Sequence, residues 1–371
     1  MPKAGRKTTT QRRRPSAAAT GPKVSLARLG TQAPALQSAL AAWYHIHHRP
    51  LPWRTAPTLY KTVVSEFMLQ QTQVETVLPY FARWLEQFPG FPALAAASEA
   101  TVLRAWEGLG YYRRARLLHA LARALAPLPA PPRTPEAWLA LPGVGPYTAA
   151  AITSISFGAP AAVVDGNVVR VLTRLLGDHT LYKDGSAAVK ALTPAANALL
   201  DPAHPGDHNQ AMMELGATVC TRRKPLCTVC PLLPWCAAAA QGDPESLPRL
   251  AAKKIATVSL TRLWIERNGQ LLLHRKPGSS RRLAGFCELP DASTLPAAKL
   301  DKKPLALKRR TIVNHLYIET IHRATLPVRF DPTTDPASGL LWVPWSELPR
   351  LTLSGPHRRW IGELRSRPDI L

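Results

Sequence analysis

The chain has 371 residues, 46% of them hydrophobic, and carries 47 lysines and arginines against 24 acidic residues. This length predicts two or three domains, and the hydrophobic share excludes a chain that is disordered throughout. The net charge of +23 indicates a polyanionic partner, most often nucleic acid. A general bias of composition is the alternative.

The N-terminal segment is basic, since residues 1–24 contain seven lysines and arginines and no acidic residue. We predict a disordered basic arm over 1–30, which either touches phosphates loosely or has no particular function. The segment lacks the apolar core of a secretory signal, and no apolar run in the chain reaches membrane-spanning length. From these two features we expect a soluble protein that is not associated with a membrane. As separate expectations, we predict a monomer located in the bacterial cytoplasm with the nucleoid.

Apolar residues recur at three- and four-residue spacing from about residue 35 to 236, which is typical of amphipathic helices. Short breaks that contain proline and glycine separate these segments, so we predict a helical domain over 31–240. His45, His47 and His48 stand close together, but no further ligand-type residue follows nearby, and we expect them to be solvated or to face phosphate. A segment of small residues and prolines, 241–255, predicts a linker.

The stretch LPGVGPYTA, residues 141–149, places Gly143 and Gly145 immediately before an Ala-rich helix. Glycine has no Cβ, so the backbone can approach a ligand closely. The first amides of the helix have no partner within it and, together with the helix dipole, favour an anion. In a basic chain this predicts a site for a DNA phosphate. An ordinary turn between two helices is the alternative.

Four of the five cysteines lie in one short segment with the spacing C-x6-C-x2-C-x5-C: Cys220, Cys227, Cys230 and Cys236. In a chain without a secretory signal, such a cluster indicates a metal site instead of disulfides. Structural zinc sites usually use two C-x2-C pairs, whereas four thiolates in an asymmetric run suit an iron–sulfur cluster better. Cys287 stands alone, and we expect it to be a buried packing residue.

From residue 256 the pattern changes to strands. Residues 256–275 contain two β-rich runs around Asn268-Gly269, the strongest short signal for a hairpin. Further strand candidates lie at 311–328 and 339–345. We predict a separate domain over 256–371 with mixed α and β structure, or mostly β structure.

Five motifs and the cysteine segment together resemble one known family. The motifs are LPWR at 51–54, SEFMLQQTQV at 65–74, GLGYYRRAR at 108–116, LPGVGPYTAAAITSI from 141 and VVDGNVVRV from 163. Over about 36–236 the chain resembles the adenine DNA glycosylases of the MutY type, within the helix-hairpin-helix glycosylase superfamily. The resemblance implies a mainly α glycosylase domain whose four cysteines hold a [4Fe–4S] cluster, and a C-terminal α+β, Nudix-like domain. It implies duplex DNA with A·8-oxoguanine or A·G mispairs as the substrate, and hydrolysis of the N-glycosidic bond of the adenine.

Two acidic residues are candidates for catalysis. Glu66 is flanked at helical spacing by Val63 and Phe67, and a carboxyl among apolar neighbours should hold its proton near neutral pH. A glutamate on a helix surface is the alternative, and the resemblance implies that Glu66 protonates N7 of adenine. Asp165 precedes a helical run, where aspartate is commonly an N-cap, and the helix amides would keep it ionised. The resemblance implies that Asp165 stabilises the oxocarbenium ion of the sugar, so that an acid and an ionised carboxylate work as a pair.

Several pocket residues receive roles only through the resemblance. Glu214 would contact the adenine edge, Asn167 would position Asp165 or the sugar, and Arg54 would line the pocket. Tyr147 stands where the related endonuclease III enzymes have a lysine that forms a Schiff base. Because tyrosine cannot form an imine, we predict a monofunctional glycosylase without efficient lyase activity.

The resemblance also names the residues that contact DNA where the base leaves the stack. Gln70, Gln71 and Tyr111 match family residues that fill or wedge the duplex. Tyr111 would be the wedge, but Tyr112 follows directly, so either tyrosine could be the one that enters the duplex. Core packing is the alternative for both.

The C-terminal region departs from the Nudix pattern at two places. The fragment GFCELP at 285–290 remains, but the Arg-Glu-x2-Glu-Glu segment that holds metals is missing, so we predict no pyrophosphate hydrolysis. The family's Phe-Ser-His loop, which reads 8-oxoguanine, corresponds to Val313-Asn314-His315. Asn314 can still form hydrogen bonds through its amide. A strand with a stray histidine is the alternative.

Two other functions stay open. A G·T mismatch thymine glycosylase shares the tyrosine slot and the cluster but lacks a C-terminal Nudix-like domain. A catalytically silent DNA-binding protein would keep the scaffold, and the presence of both Glu66 and Asp165 argues against it.

Overall fold

The structure is a computed structural model and describes residues 26–252, 255–280, 283–312, 314–328 and 330–367. Val313 of the predicted recognition loop and residues 1–25 of the predicted arm lie outside these ranges. Residues 26–30 begin the first helix, and Leu29 is 2% exposed in a core. The predicted arm is therefore wrong for 26–30, because an apolar side chain there has a core to pack against.

Helices dominate the chain up to residue 240. Their bounds are α1 Leu26–His47, α2 Leu59–Leu69, α3 Val74–Gln87, α4 Phe91–Ala96, α5 Glu99–Ala105, α6 Arg113–Leu125, α7 Pro135–Leu139, α8 Pro146–Phe157, α9 Gly166–Leu176, α10 Gly185–Leu199, α11 Pro205–Thr218 and α12 Ala237–Ala240, and α13 Gly355–Arg365 follows near the C-terminus. Their starts follow from local chemistry, since Thr58, Asp165 and Asp184 each accept a backbone N–H of the first helical turn. Gly158 and Gly177 end α8 and α9 in the left-handed conformation.

The described residues pack into two compact units. One unit combines the chain up to His48 with Ala162–Asp201 and Asp207–Leu250, and the other combines Arg49–Ala161, Pro202–Gly206 and the chain from Ala251. This division by packing differs from the domains that the sequence predicts, 31–240 and 256–371, and those boundaries stay predictions.

Each unit has its own core. In the first unit, apolar stripes of α1, α9, α10 and α11 meet, with Leu36, Leu172 and Leu215 at most 1% exposed. In the second unit, α2, α3, α5, α6 and α7 bury large aromatic side chains, among them Trp84 and Trp106, whose rings meet edge to face at 5.5 Å. The amphipathic pattern of the sequence thus corresponds to buried helix faces in both units.

The C-terminal region is built from short strands. Their bounds are β3 Ala256–Trp264, β4 Glu266–Arg267, β5 Gln270–Arg275, β6 Cys287–Glu288, β7 Lys299–Leu300, β8 Ala306–Ile312, β9 His315–Thr325 and β10 Leu340–Pro344; in the other unit, β1 Leu181–Tyr182 pairs with β2 Arg249–Leu250. One sheet has the order β10-β5-β4 with β6 beside β5, and the other has the order β3-β9-β7 with β8 beside β9. The pair β3–β9 is parallel and the pair β8–β9 is antiparallel, so the second sheet is mixed.

The predicted hairpin is present. β4 and β5 pair in antiparallel register across Asn268 and Gly269, whose φ angles are 51° and 69°. Positive φ at both central residues is what a two-residue type I′ turn requires. The lone Cys287 is 1% exposed in an apolar core, so it packs as the sequence predicts.

Candidate active site

The first group of predicted residues lies on and after α2. Glu66 is 7% exposed, and its neighbours Val63 and Phe67 are at most 1% exposed. The carboxyl therefore belongs to the buried side of an apolar helix and not to its surface. Gln70 ends the helix as the C-cap residue, and its amide donates to the Thr148 hydroxyl at 3.4 Å. This bond ties the end of α2 to the start of α8.

The glycine hairpin closes against α2. Gly143 has φ +76°, and a Cβ on it would lie 2.7 Å from Cβ of Leu117 and 3.1 Å from Cε1 of Phe67. A larger residue is excluded both by the backbone conformation and by the space. Gly145 is the N-cap of α8 in an extended conformation, and Tyr147 is half-buried in the first turn of that helix. The hairpin therefore brings a helix start close to the residue that follows Glu66.

Two exposed turns carry the residues expected to enter the duplex. Gln71 has φ 58° and Tyr111 has φ 48°, a left-handed backbone that is uncommon outside glycine. The Tyr111 side chain is 46% exposed, whereas Tyr112 is 5% exposed. The hydroxyl of Tyr112 accepts from the Gly108 amide at 3.4 Å. Tyr112 is thus a core residue, and of the two rings only that of Tyr111 is exposed.

Asp165 caps α9. One carboxylate oxygen accepts from the Val168 amide at 2.7 Å and the other from the Asn167 side-chain amide at 3.0 Å. Burial nevertheless raises the pKa of Asp165, and these hydrogen bonds, which act in the opposite direction, do not cancel it. The helix amides therefore act in the direction that the sequence predicts, toward the ionised carboxylate, while burial acts against them, and the ionised state of Asp165 stays a prediction.

A hydrogen-bond chain connects Asp165 with the cysteine segment. The side-chain oxygen of Asn167 accepts from Nη2 of Arg170 at 2.9 Å. The same guanidinium donates to the Gly216 carbonyl at 2.6 Å and, through Nε, to the Cys220 carbonyl at 2.7 Å. Sequence reasoning missed Arg170, although its position three residues after Asn167 on one helix face is a signal that could have found it.

Glu214 and Arg54 are both in sheltered positions. Glu214 is 1% exposed and precedes Gly216 by two residues on α11. Gly216 packs directly on α9, because a Cβ there would lie 2.6 Å from Cβ of Asn167. Glu214 therefore belongs to the helix that touches the Asp165 cap. Arg54 is half-buried and donates to the Arg49 carbonyl at 3.3 Å.

The four cysteines of the segment are unpaired, and all are half-buried. Burial, with a smaller contribution from negative charge on the other three cysteines, raises the pKa of Cys230 to about 11. As placed, no three His, Cys, Asp or Glu side chains of the described residues have the arrangement that holds a metal ion. Arg174, 1% exposed, donates to the Cys220 sulfur at 3.3 Å and the Thr221 carbonyl at 2.7 Å, which fixes the start of the segment.

The predicted recognition loop lies between β8 and β9. Asn314 is exposed, and its carbonyl accepts from the Ala256 amide at 2.9 Å. His315 opens β9, with its ring centroid 6.2 Å from that of Tyr317. The backbone at Asn314 is therefore tied to the start of the neighbouring strand β3.

The Nudix remnant carries a glutamate, but cations already pair with it. Glu288 is 2% exposed, 3.5 Å from the guanidinium of Arg262 and 3.4 Å from the ammonium of Lys276. Burial would raise the pKa of Glu288, but His357 and these two cations together lower it. Glu288 therefore acts as an ion-pair partner inside the C-terminal region.

The predicted residues thus fall into three neighbourhoods. Glu66, Gln70 and the hairpin adjoin one another; Asp165, Asn167 and Glu214 adjoin the cysteine segment; and Asn314 and His315 lie at one end of the mixed sheet.

Comparison with known proteins gives consistent matches. A family model described as HhH-GPD superfamily base excision DNA repair protein matches residues 64–194. An adenine DNA glycosylase of Schizosaccharomyces pombe is 42% identical over 224 residues, which cover 54% of this chain and 48% of that protein. An adenine DNA glycosylase of Mycobacterium tuberculosis is 43% identical over 211 residues, which cover 56% of this chain and 68% of that protein. The chain spans about half the length of the yeast relative.

Among solved structures, a thermostable thymine-DNA glycosylase matches with a TM-score of 0.50 and 28% identity, over 57% of this chain and 98% of that one. These matches confirm the predicted fold class, a helical helix-hairpin-helix domain followed by a mixed β region with a final helix. No helix in the described ranges is both long and apolar enough to cross a bilayer.

Proposed function

The chain belongs to the adenine DNA glycosylases of the HhH-GPD superfamily, and we propose that it excises adenine mispaired with 8-oxoguanine or guanine in base excision repair. One observation carries the proposal. Glu66 is buried on α2 directly beside Phe67, against which the hairpin glycine Gly143 packs. Glu66, the proposed proton donor, therefore lies close to the start of α8, which is suited to bind a DNA phosphate.

The reaction follows from two carboxyl groups with different tasks. Glu66 gives its proton to N7 of the extruded adenine, so that the C1′–N9 bond breaks with the electron pair leaving on the base. Asp165 is ionised as positive charge develops on the sugar, since a nearby cation lowers the pKa that burial raises. Water then adds to C1′ and its released proton returns to a carboxylate, leaving an abasic site.

The remaining pocket residues support this chemistry. Asn167 donates to Asp165 and so holds the carboxylate toward the sugar. We assign Glu214 to the adenine edge and Arg54 to the pocket wall, as the family resemblance implies. Tyr147 cannot form the imine of a lyase, so the product keeps an intact strand.

By their chemistry the four cysteines suit a [4Fe–4S] cluster, because all four donors are thiols within one segment, and the family resemblance implies one there. When bound, the cluster would stabilise the segment and supply a redox-active centre. Two arginines hold the start of the cysteine segment in place: Arg170 donates to the Cys220 carbonyl, and Arg174 donates to the Thr221 carbonyl. An absorption band at about 400 nm would distinguish iron–sulfur from zinc.

We assign duplex DNA binding to two surfaces: the hairpin with Gly143 and Gly145, and the turns with Gln70, Gln71 and Tyr111. The C-terminal region would read the base opposite adenine through Asn314 and His315. Because the family's Phe-Ser-His has become Val-Asn-His, we expect altered contacts to 8-oxoguanine.

A gel assay with three duplexes tests the function. Adenine opposite 8-oxoguanine and adenine opposite guanine should give strand breaks only after alkali, and thymine opposite guanine should give none. Strand breaks in the duplex with thymine opposite guanine would favour the rival function, a thymine glycosylase. The solved thymine-DNA glycosylase matches 57% of this chain, so the remaining 43% has no counterpart in it. An abasic product from none of the duplexes would refute the enzyme and favour a silent DNA-binding protein.

A further inference from the structure

Arg114, the second residue of α6, has an unusual environment. Arg114 is only 6% exposed, and its guanidinium forms no ion pair with a carboxylate of the described residues. Instead the guanidinium donates to five backbone carbonyls and one hydroxyl. Buried arginines are normally paired with an acid, so the six neutral acceptors call for an explanation.

The acceptors belong to two separate turns. Nη1 donates to the carbonyls of Phe67, Met68 and Gln70 at 3.1, 2.7 and 2.5 Å. These carbonyls lie at the C-terminal end of α2, where a helix has no partners of its own for its last carbonyls and where its dipole favours a cation.

The second nitrogen reaches the other turn. Nη2 donates to the carbonyls of Leu109 and Gly110 at 3.0 and 3.2 Å, and to the Thr72 hydroxyl at 3.0 Å. The guanidinium carbon also lies 5.2 Å from the Trp106 ring and 5.6 Å from the Tyr111 ring. One planar group therefore connects the turn before Gln71 with the turn before Tyr111.

Both of these residues have a strained backbone. Gln71 and Tyr111 have φ angles of 58° and 48°, and such conformations persist only where the surroundings fix them. Burial lowers the pKa of Arg114 to about 10, which still leaves the guanidinium charged at neutral pH. A lysine could not replace it, because an ammonium lacks the two-pronged shape that reaches both turns.

We propose that Arg114 is a positioning residue that holds the Gln70–Gln71 and Gly110–Tyr111 turns at a fixed separation, so that both enter the duplex together as adenine leaves the stack. The inference rests on the proposed function. Because Phe67 and Met68 follow Glu66 in the chain, the same contacts fix the end of α2 relative to the acid.

The test compares Arg114→Met with Arg123→Met, which removes one exposed charge from the same helix. Single-turnover excision of adenine opposite 8-oxoguanine should slow by about tenfold to a hundredfold for Arg114→Met and change by less than about twofold for Arg123→Met. With 2-aminopurine in place of adenine, the fluorescence rise on binding, which reports unstacking, should be reduced for Arg114→Met alone. Arg114→Lys should resemble Arg114→Met.

A double-mutant cycle identifies the route of the effect. If Arg114 acts through the wedge turn, adding Tyr111→Ala to Arg114→Met should cost little beyond the larger single effect. Fully additive losses, or a folded Arg114→Met that unstacks 2-aminopurine like the wild type, would overturn the inference. If Arg114→Met does not fold, Arg114→Lys takes its place, and failure of both to fold would make the residue merely structural. A wild type that excises no adenine would instead refute the proposed function.

Discussion

The hairpin glycine Gly143 offers a sharp test of how the site is built. Replacement by alanine forces a residue with a Cβ into φ +76°, a conformation that costs about 1–2 kcal/mol. The new Cβ also meets Cβ of Leu117 at 2.7 Å and Cε1 of Phe67 at 3.1 Å, and overpacking of this kind costs about 1–3 kcal/mol. Together we expect Gly143→Ala to lower the free energy of unfolding by about 2–5 kcal/mol.

Gly145 and Gly158, the two cap residues of α8, separate the cost of the backbone conformation from the cost of overpacking. Gly158 has φ +70° with nothing within 4 Å of a built Cβ, so Gly158→Ala should cost only the conformational part, about 1–2 kcal/mol. Gly145 has neither a positive φ nor a close neighbour, and Gly145→Ala should cost about 0.5–1 kcal/mol, since alanine is a poor N-cap. Urea unfolding followed by circular dichroism measures all three. If Gly143→Ala is no less stable than Gly158→Ala, the hairpin does not pack tightly on α2 at Gly143.

Glu66→Gln should lower the single-turnover rate of adenine excision by about 10²–10⁴-fold with little change in duplex affinity, because an amide has no acidic proton to give; near wild-type excision would place the general acid elsewhere. Burial raises the pKa of Asp165, so its ionised form is disfavoured in the fold. The free energy of unfolding should therefore fall as pH rises through that raised pKa, and Asp165→Asn should give a flatter profile in urea unfolding at several pH values; identical profiles would contradict the burial. Arg358 pairs with Glu107 through two contacts, one of them at 3.1 Å, with 33% and 19% of the side chains exposed. A double-mutant cycle in urea should give a coupling of about 0.5–1 kcal/mol after allowance for solvent screening, and a coupling of zero would make this pair incidental.

Local chemistry could be predicted from the sequence, and long-range packing could not. The turn at Asn268-Gly269 and the Asp165 cap depend on a few neighbouring residues, and both are present. The choice between Tyr111 and Tyr112 depends instead on Phe286, whose ring lies 4.3 Å from that of Tyr112. No pattern within GLGYY contains that information.

The arginines show the same limit. GLGYYRRAR contains Arg113, Arg114 and Arg116, and nothing in the sequence says that Arg114 is buried, because its acceptors lie up to 47 residues away. Arg170 binds the Cys220 carbonyl 50 residues along the chain. The burial of Asp165, which raises its pKa, could not be predicted for a related reason, since burial is a property of the assembled fold, whereas the cap is a property of one helical turn.

The fragment GFCELP shows why part of a Nudix motif can be present in a chain that lacks the metal-binding part of that motif. Phe286 is fully buried in the helical core that contains Tyr112, and the neighbouring Ala284 carbonyl accepts from Arg116 at 2.9 Å. Glu288 is held by two cations inside the C-terminal region. Phe286, Cys287 and Glu288 of the fragment thus have packing or ion-pair roles that need no metal. Phe286 also packs against Tyr112, the residue after the proposed wedge Tyr111. Substitutions at Phe286 should therefore alter the turn at which Tyr111 is proposed to enter the duplex.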